Sequence, residues 1–137
     1  MPLIYVNQIG ANDNLIFDGN SFILDKNGSK IKQLKSFSED LSSWDIEQTK
    51  PQKNKFEKSE MSSIFDALVL GVKDYAQKCG FKTALIGLSG GIDSALVSAI
   101  ATAALGNNNI YCVSMPSKWS SSPVSYTHLT LPTTTIV

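Results

Sequence analysis

Residues 87–94 decide the fold, and they are Gly87-Leu88-Ser89-Gly90-Gly91-Ile92-Asp93-Ser94. The apolar run Thr83 to Leu88 predicts a buried strand, and the small-residue segment Ala95 to Leu105 predicts a helix. A glycine-rich turn between a strand and a helix offers unpaired N–H groups and the positive end of the helix dipole, so it typically binds phosphate. The apolar side of the helix, spaced three and four apart, is expected to consist of Leu96, Ala99, Ile100 and Ala103.

The composition of this loop indicates pyrophosphate together with a metal ion. Gly90 and Gly91 are expected to take left-handed backbone angles and to let a ligand approach closely. Ser89 and Ser94 add hydroxyl donors. Asp93 would repel a polyphosphate unless a cation lies between them, and Mg²⁺ commonly combines one or two carboxylates with phosphate oxygens. We therefore expect the loop to bind pyrophosphate and Asp93 to be a metal ligand.

Other glycine motifs fit this loop less well or leave an alternative open. The P-loop requires Lys followed by Ser or Thr, whereas Ile92 and Asp93 follow the last glycine here. The dinucleotide fingerprint G-x-G-x-x-G requires a different glycine spacing. The nucleophile elbow G-x-S-x-G does match residues 87–91, so a serine hydrolase acting through Ser89 stays an alternative. Its only candidate base is His128, the single histidine of the chain.

The loop resembles the PP-loop of the ATP pyrophosphatase family, whose signature S-G-G-x-D-S/T is met by residues 89–94. The resemblance implies ATP and Mg²⁺ as cofactors, with residues 87–94 at the pyrophosphate and Asp93 on the metal. Members split ATP between the α and β phosphates and pass AMP to a carboxylate or carbonyl oxygen, from which a nitrogen or sulfur nucleophile displaces it. Another such enzyme, for example a tRNA thiolation enzyme, stays an alternative, although basic patches and zinc-type cysteine pairs are not seen.

A second strand follows the helix and completes a βαβ unit. The apolar run Ile110 to Ser114 predicts that strand, and the ligand site of such a unit lies at the carboxyl ends of its strands. Residues 115–121 resemble the M-P-S-x-aromatic-S-S segment of NAD synthetases, except that Trp119 stands where Tyr or Phe is commoner. The resemblance implies nucleotide contacts from Met115, Pro116 and Ser117.

The N-terminal part of the chain predicts β structure. Asn27-Gly28 is a strong hairpin signal. Periodicity predicts a β-meander from the short runs Leu3 to Val6, Leu15 to Phe17, Ser21 to Leu24 and Ser29 to Leu34.

Two segments of this part resemble the late portion of a nitrilase-type glutaminase domain, which has an αββα fold. They are residues 5–10 with Asp13, and residues 17–22, while Ala11, Asn12 and Asn14 depart from the commoner version. In glutamine-dependent NAD synthetases that domain precedes the PP-loop domain, so the order of the two motifs implies this family. The Glu, Lys and Cys that hydrolyse glutamine lie before this region in the family, so we expect no glutaminase catalytic residue in the chain.

We therefore expect an α/β chain that holds the start of a Rossmann-like parallel-sheet PP-loop domain, preceded by a β-hairpin remnant of the nitrilase fold. Ser59 to Cys79 predicts an amphipathic helix that covers one face of the sheet. No charged residue follows Lys118, and the Thr-rich end, without helix or strand period, resembles translated transposase sequencing adapter. The expected segments are 1–46 (glutaminase tail), 47–58 (lysine-rich linker), 59–122 (PP-loop domain) and 123–137 (non-native tail).

Composition bears on partners and compartment. The chain has 12 basic and 12 acidic residues among 137, so no basic field favours nucleic acid. No signal peptide or membrane span is visible, and Cys79 and Cys112 are expected to be buried reduced thiols, which fits the cytoplasm. We expect a parent enzyme that is a homo-oligomer and converts nicotinate adenine dinucleotide to NAD with ATP and glutamine-derived ammonia. The 137-residue chain alone is expected to be inactive.

Overall fold

The structure is a computed structural model that describes residues 1–47 and 59–114 and the backbone of residues 135 and 136. It divides into two compact units, Met1–Gly71 and Val72–Val137. Both helices and strands are present, in agreement with the predicted α/β class. In the described part of the chain, neither helix is long and apolar enough to cross a membrane.

The first unit is rich in short antiparallel strands. One sheet has the order β1-β4-β5, and β2 and β3 form a separate hairpin. The predicted meander is therefore wrong, because β1 pairs with β4 and not with its neighbour along the chain. The second strand was not predicted, since Gly10 and Asn12 interrupt its apolar pattern. The strands are β1 Leu3–Tyr5, β2 Ile9–Asn12, β3 Leu15–Asp18, β4 Phe22–Leu24 and β5 Lys30–Gln33.

The predicted hairpin through Asn27 and Gly28 is confirmed by the antiparallel pairing of β4 with β5. The side-chain Oδ1 of Asp25 accepts hydrogen bonds from the backbone N–H groups of Asn27 and Ser29, each at 2.8 Å. Gly28 has a φ of +83°, which a residue with a Cβ adopts only with strain. The turn is thus held by one carboxylate and one glycine.

The second unit contains the predicted βαβ unit. Its sheet has the order β6-β7-β8, and all its strands are parallel. In the tail 123–137, whose sequence shows no clear strand period, the short strand β8 pairs in parallel with β7. Helix α1 begins in the first unit and ends in the second. The elements are α1 Glu60–Cys79, β6 Ala84–Leu88, α2 Ile92–Leu105, a 3-10 turn Asn107–Asn109, β7 Ile110–Ser114 and β8 Thr135–Ile136.

The core of the second unit lies between α2 and one face of β6 and β7. Its fully buried members are Leu88, Ala101, Ile110 and Cys112, and Ala84, Ile86 and Leu105 pack against them. Where the side chains that a helix turns toward a sheet are small, the helix can pack closely on the strands. The core therefore combines small residues of α2 with aliphatic residues of the strands.

The predicted apolar side of α2 is partly wrong. Ile100 is buried as expected, but Leu96 is 53% exposed and Ala103 is exposed as well. Ser98 and Ala101 are buried in their place, because the helix turns its small residues toward the strands. Hydrophobicity alone could not identify this face.

The apolar stripe of α1 is mostly exposed. Ala76 is its buried residue, whereas Leu68 and Tyr75 are exposed, and no described residue of α1 belongs to the core cluster of the sheet. The described core cluster of the sheet thus contains none of the residues with which this helix was expected to cover a sheet face. Cys79 is a free thiol but exposed, contrary to prediction, because it is the last residue of the helix and lies outside the core. Cys112 is free and buried, as predicted.

Candidate phosphate-binding site

The predicted phosphate loop lies where strand β6 passes into helix α2. Strand β6 ends at Leu88, and α2 begins at Ile92, earlier than the predicted start at Ala95. Leu88 pairs with Ser114, the last residue of β7, so both strands end at the same level. This edge is where ligands bind in open parallel sheets.

Three hydrogen bonds close the loop on itself. The backbone N–H of Gly91 donates to the Oγ of Ser89 at 3.3 Å, and that hydroxyl donates to the Oγ of Ser94 at 3.3 Å. The Ser94 hydroxyl in turn donates to the carbonyl oxygen of Gly91 at 2.9 Å. Each hydroxyl proton therefore has one acceptor, and the two serines that the sequence singled out lie together.

The two glycines have different conformations. Gly90 has a φ of +90°, as expected for a residue that must turn the chain sharply. Gly91 is the N-cap of α2 and is extended, with φ −86° and ψ 161°, so the predicted left-handed angle is wrong there. A Cβ at Gly91 would lie 3.5 Å from the Ser89 Oγ, an ordinary contact distance. The loop thus requires glycine for its backbone at Gly90.

The start of α2 has donors to spare. The first helical hydrogen bond runs from the N–H of Ala95 to the carbonyl oxygen of Gly91, and the N-cap makes no side-chain bond. Within the described part of the chain, nothing accepts a hydrogen bond from the N–H groups of Ile92, Asp93 or Ser94. With the positive end of the helix dipole, these donors suit an anion with several oxygens.

Asp93 is exposed in the first turn of α2. No described residue forms an ion pair or hydrogen bond with its carboxylate, and the described residues include no cluster of three or more metal-ligating side chains. A single free carboxylate beside phosphate donors does fit Mg²⁺, which takes few protein ligands and completes its shell with phosphate oxygens and water. The arrangement does not fit a metal held by protein ligands alone.

Among the described residues, none is placed as a base for Ser89 as a nucleophile. Its hydroxyl contacts Ser94 and the Gly91 backbone, and no described acid or histidine forms a hydrogen bond with it. His128 lies outside the described residues. The nucleotide-contact prediction for Met115, Pro116 and Ser117 and the linker prediction for residues 48–58 also lie outside the described residues.

Ser98 was not predicted to belong to this site. Ser98 is 1% exposed, and its hydroxyl donates to the carbonyl oxygen of Ser94 at 2.8 Å. The thiol of Cys112, also 1% exposed, donates to the Ser98 Oγ at 3.7 Å. The spacing of the small residues at positions 94, 98 and 101 indicates the side of α2 that faces the sheet, but the prediction of that side used apolar residues only.

In the first unit, the two segments that resemble the glutaminase domain come together. The side-chain amide of Asn7 donates to the Oδ1 of Asp18 at 2.9 Å. Its backbone N–H donates to the Oγ of Ser21 at 3.0 Å. These bonds tie the segment after β1 to the residues that precede β4, and they act as structural links.

Comparison with known proteins identifies relatives that match most of the chain. Residues 64–131 match the family model for NAD synthase, a range that ends inside the predicted tail. The glutamine-dependent NAD(+) synthetase of Synechocystis is 49% identical over 126 residues, which are 88% of this chain and 23% of the relative. That of Rhodobacter capsulatus is 41% identical, again over 88% of this chain and 23% of the relative.

A solved structure agrees in fold. The glutamine-dependent NAD+ synthetase of Acinetobacter baumannii, in complex with ADP, superposes with a TM-score of 0.83 at 38% identity. The match covers 91% of this chain and 24% of that one. The chain thus spans about a quarter of the length of the relatives it matches.

Proposed function

Because the chain belongs to the NAD synthase family, we propose that it forms the start of the ATP-binding part of a glutamine-dependent NAD synthetase. The carrying observation is the loop at residues 88–94, which presents free helix donors and the Asp93 carboxylate at the carboxyl edge of a parallel sheet. The relative solved with bound ADP supports an adenine nucleotide as the ligand.

The proposed reaction has two steps. A carboxylate oxygen of nicotinate adenine dinucleotide attacks the α-phosphorus of ATP, and pyrophosphate leaves. Ammonia derived from glutamine then attacks the carboxyl carbon, loses a proton and displaces AMP, which gives the amide of NAD. Charge builds up on the departing pyrophosphate in the first step, so the site must offer positive charge and donors there.

The loop residues supply those donors. Under this proposal the N–H groups of Ile92, Asp93 and Ser94, for which no described residue is an acceptor, would bind β- or γ-phosphate oxygens. The hydroxyls of Ser89 and Ser94 exchange their mutual bond for bonds to phosphate. Mg²⁺ bound through Asp93 would neutralise the developing charge. The remaining loop residues, Gly87, Leu88, Gly90 and Gly91, form the backbone cradle.

Glutamine hydrolysis belongs to the other domain in this proposal. Residues 1–46 represent the end of the glutaminase domain and contribute none of its catalytic side chains. Residues 47–58 are the linker, residues 59–122 the start of the synthetase domain, and residues 123–137 a non-native tail. We place the whole enzyme in the cytoplasm as a homo-oligomer that acts on small molecules.

A chimaera tests the proposal. Residues 1–122 of this chain replace the aligned segment of the Synechocystis synthetase, and NAD formation is measured with ATP, Mg²⁺ and ammonia. We expect the chimaera to be active and Asp93→Ala to lower its rate by about 10²–10³-fold, the usual effect of losing one transition-state contact. Hydrolysis of glutamine should continue in that variant.

Glu60→Ala is the matched control. Glu60 is also an exposed acid in the first turn of a helix, so both substitutions remove the same helix-dipole interaction, worth about 0.3–1 kcal/mol. Equal melting temperatures with a rate lost only in Asp93→Ala would support the metal role. NAD synthesis at the normal rate by Asp93→Ala would refute it.

A further inference from the structure

A chain of hydrogen bonds connects the buried core to the phosphate loop. It runs from the Cys112 thiol on β7 to the Ser98 hydroxyl on α2, and from there to the carbonyl oxygen of Ser94. The Ser94 hydroxyl then bonds to Gly91 and to Ser89. The two sets of bonds meet at Ser94, which takes part through its backbone carbonyl oxygen in one and through its side-chain hydroxyl in the other.

The hydrogen bond between Ser98 and Cys112 is a polar contact between two buried side chains. Ser98 and Cys112 are each 1% exposed, and Cys112 belongs to the core of the second unit. A buried hydroxyl is costly unless it is hydrogen-bonded, and here it both donates and accepts. A Ser that bonds back to the carbonyl four residues earlier also slightly destabilises and bends its helix. The pair is therefore not explained by its contribution to stability.

We propose that Ser98 is a positioning residue for ATP and that Cys112 orients its hydroxyl. The inference rests on the proposed function. The Ser98 hydroxyl adds a second bond to the Ser94 carbonyl at the first turn of α2, and Cys112 fixes that turn against β7. The direction of the free N–H groups at the start of α2 follows from the placement of this turn.

The pair acts through Ser94 and does not reach the ligand itself, since both side chains are buried. Its loss should therefore weaken the binding of ATP and leave later steps intact. In the active chimaera, we expect Ser98→Ala to raise the KM for ATP by about three- to tenfold, the range for one hydrogen bond. The KM for ammonia and the rate of glutamine hydrolysis should not change.

Variants of Cys112 separate positioning from packing. Cys112→Ser keeps a donor and should preserve the KM for ATP, whereas Cys112→Ala removes it and should raise this KM. Ser98→Ala combined with Cys112→Ala should raise the KM no more than Ser98→Ala alone, because both remove the same path. Ser62→Ala, an exposed serine of α1, is the control and should change nothing.

Failure of this inference and failure of the proposed function would give different results. An unsubstituted chimaera that folds but makes no NAD would count against the proposed function. An active chimaera in which Ser98→Ala leaves the KM for ATP unchanged would overturn this inference alone. Equal effects of Cys112→Ser and Cys112→Ala on the KM would also overturn it, since packing and not the donor would then matter.

Discussion

The backbone N–H of Gly91 donates to the hydroxyl oxygen of Ser89 at 3.3 Å, although a phosphate oxygen would be its expected acceptor at such a loop. Ser89 thereby accepts the hydrogen bond that, under the proposed function, a phosphate oxygen would accept. The hydroxyl has its own proton on Ser94, so it can turn and become a donor to phosphate. The loop is preformed in this sense.

Ser89→Ala should weaken ATP binding in the chimaera. The substitution removes the acceptor of the Gly91 N–H and a donor to phosphate, so we expect a KM for ATP about tenfold higher or more, as for a hydrogen bond to a charged group. A serine hydrolase acting through Ser89 would instead lose its whole activity on an ester substrate. Ester hydrolysis that is present in the 137-residue chain and abolished by this substitution would favour that alternative.

Gly90→Ala should damage both the fold and the site. Its φ of +90° strains a residue with a Cβ by about 1–2 kcal/mol, so either the loop changes shape or the unfolding free energy falls. Gly28→Ala is the matched control, because Gly28 has a φ of +83° in a hairpin of the first unit. Denaturant unfolding should show a similar loss for both, while only Gly90→Ala raises the KM for ATP. Equal KM values would contradict the proposed role of the loop.

Asp25→Ala should destabilise the hairpin between β4 and β5. The carboxylate accepts two backbone N–H bonds at 2.8 Å, and we expect a loss of about 1–3 kcal/mol in the unfolding free energy. Hydrogen exchange of the Asn27 and Ser29 amides should accelerate in the same variant. Asp25→Asn keeps an acceptor oxygen and should lose less, while Lys26→Ala should be neutral. An unchanged exchange rate in Asp25→Ala would show that the glycine turn suffices.

The 137-residue chain alone should form no NAD from ATP, ammonia and nicotinate adenine dinucleotide. It spans about a quarter of the length of its relatives, and apolar residues such as Leu85 on β6 and Leu96 on α2 are exposed. Anion exchange chromatography of the reaction products would detect NAD, with the chimaera as the positive control. NAD formed by the purified chain would mean that this segment contains a complete active site.

The local features of the site could be predicted because they follow from short stretches of sequence. A run from Thr83 to Leu88, a loop with Gly90 and a helix of small residues give strand, turn and helix by propensity and periodicity. The hairpin at Asn27 follows from turn chemistry in the same way. The ends of the elements were predicted less accurately. Helix α2 begins at Ile92 and not at Ala95, because helix geometry continues into the loop.

Tertiary structure alone decided which side of each element is buried and what the polar residues contact. The sequence by itself determined the strand–loop–helix order and the residues of the candidate phosphate loop, since those depend on neighbours along the chain. It could not show that Ser98 lies under β7 or that β1 pairs with β4, because these contacts join residues distant in sequence. These contacts are selected by close packing and by the need to hydrogen-bond buried polar groups. Both depend on which distant residues are brought together when the chain folds.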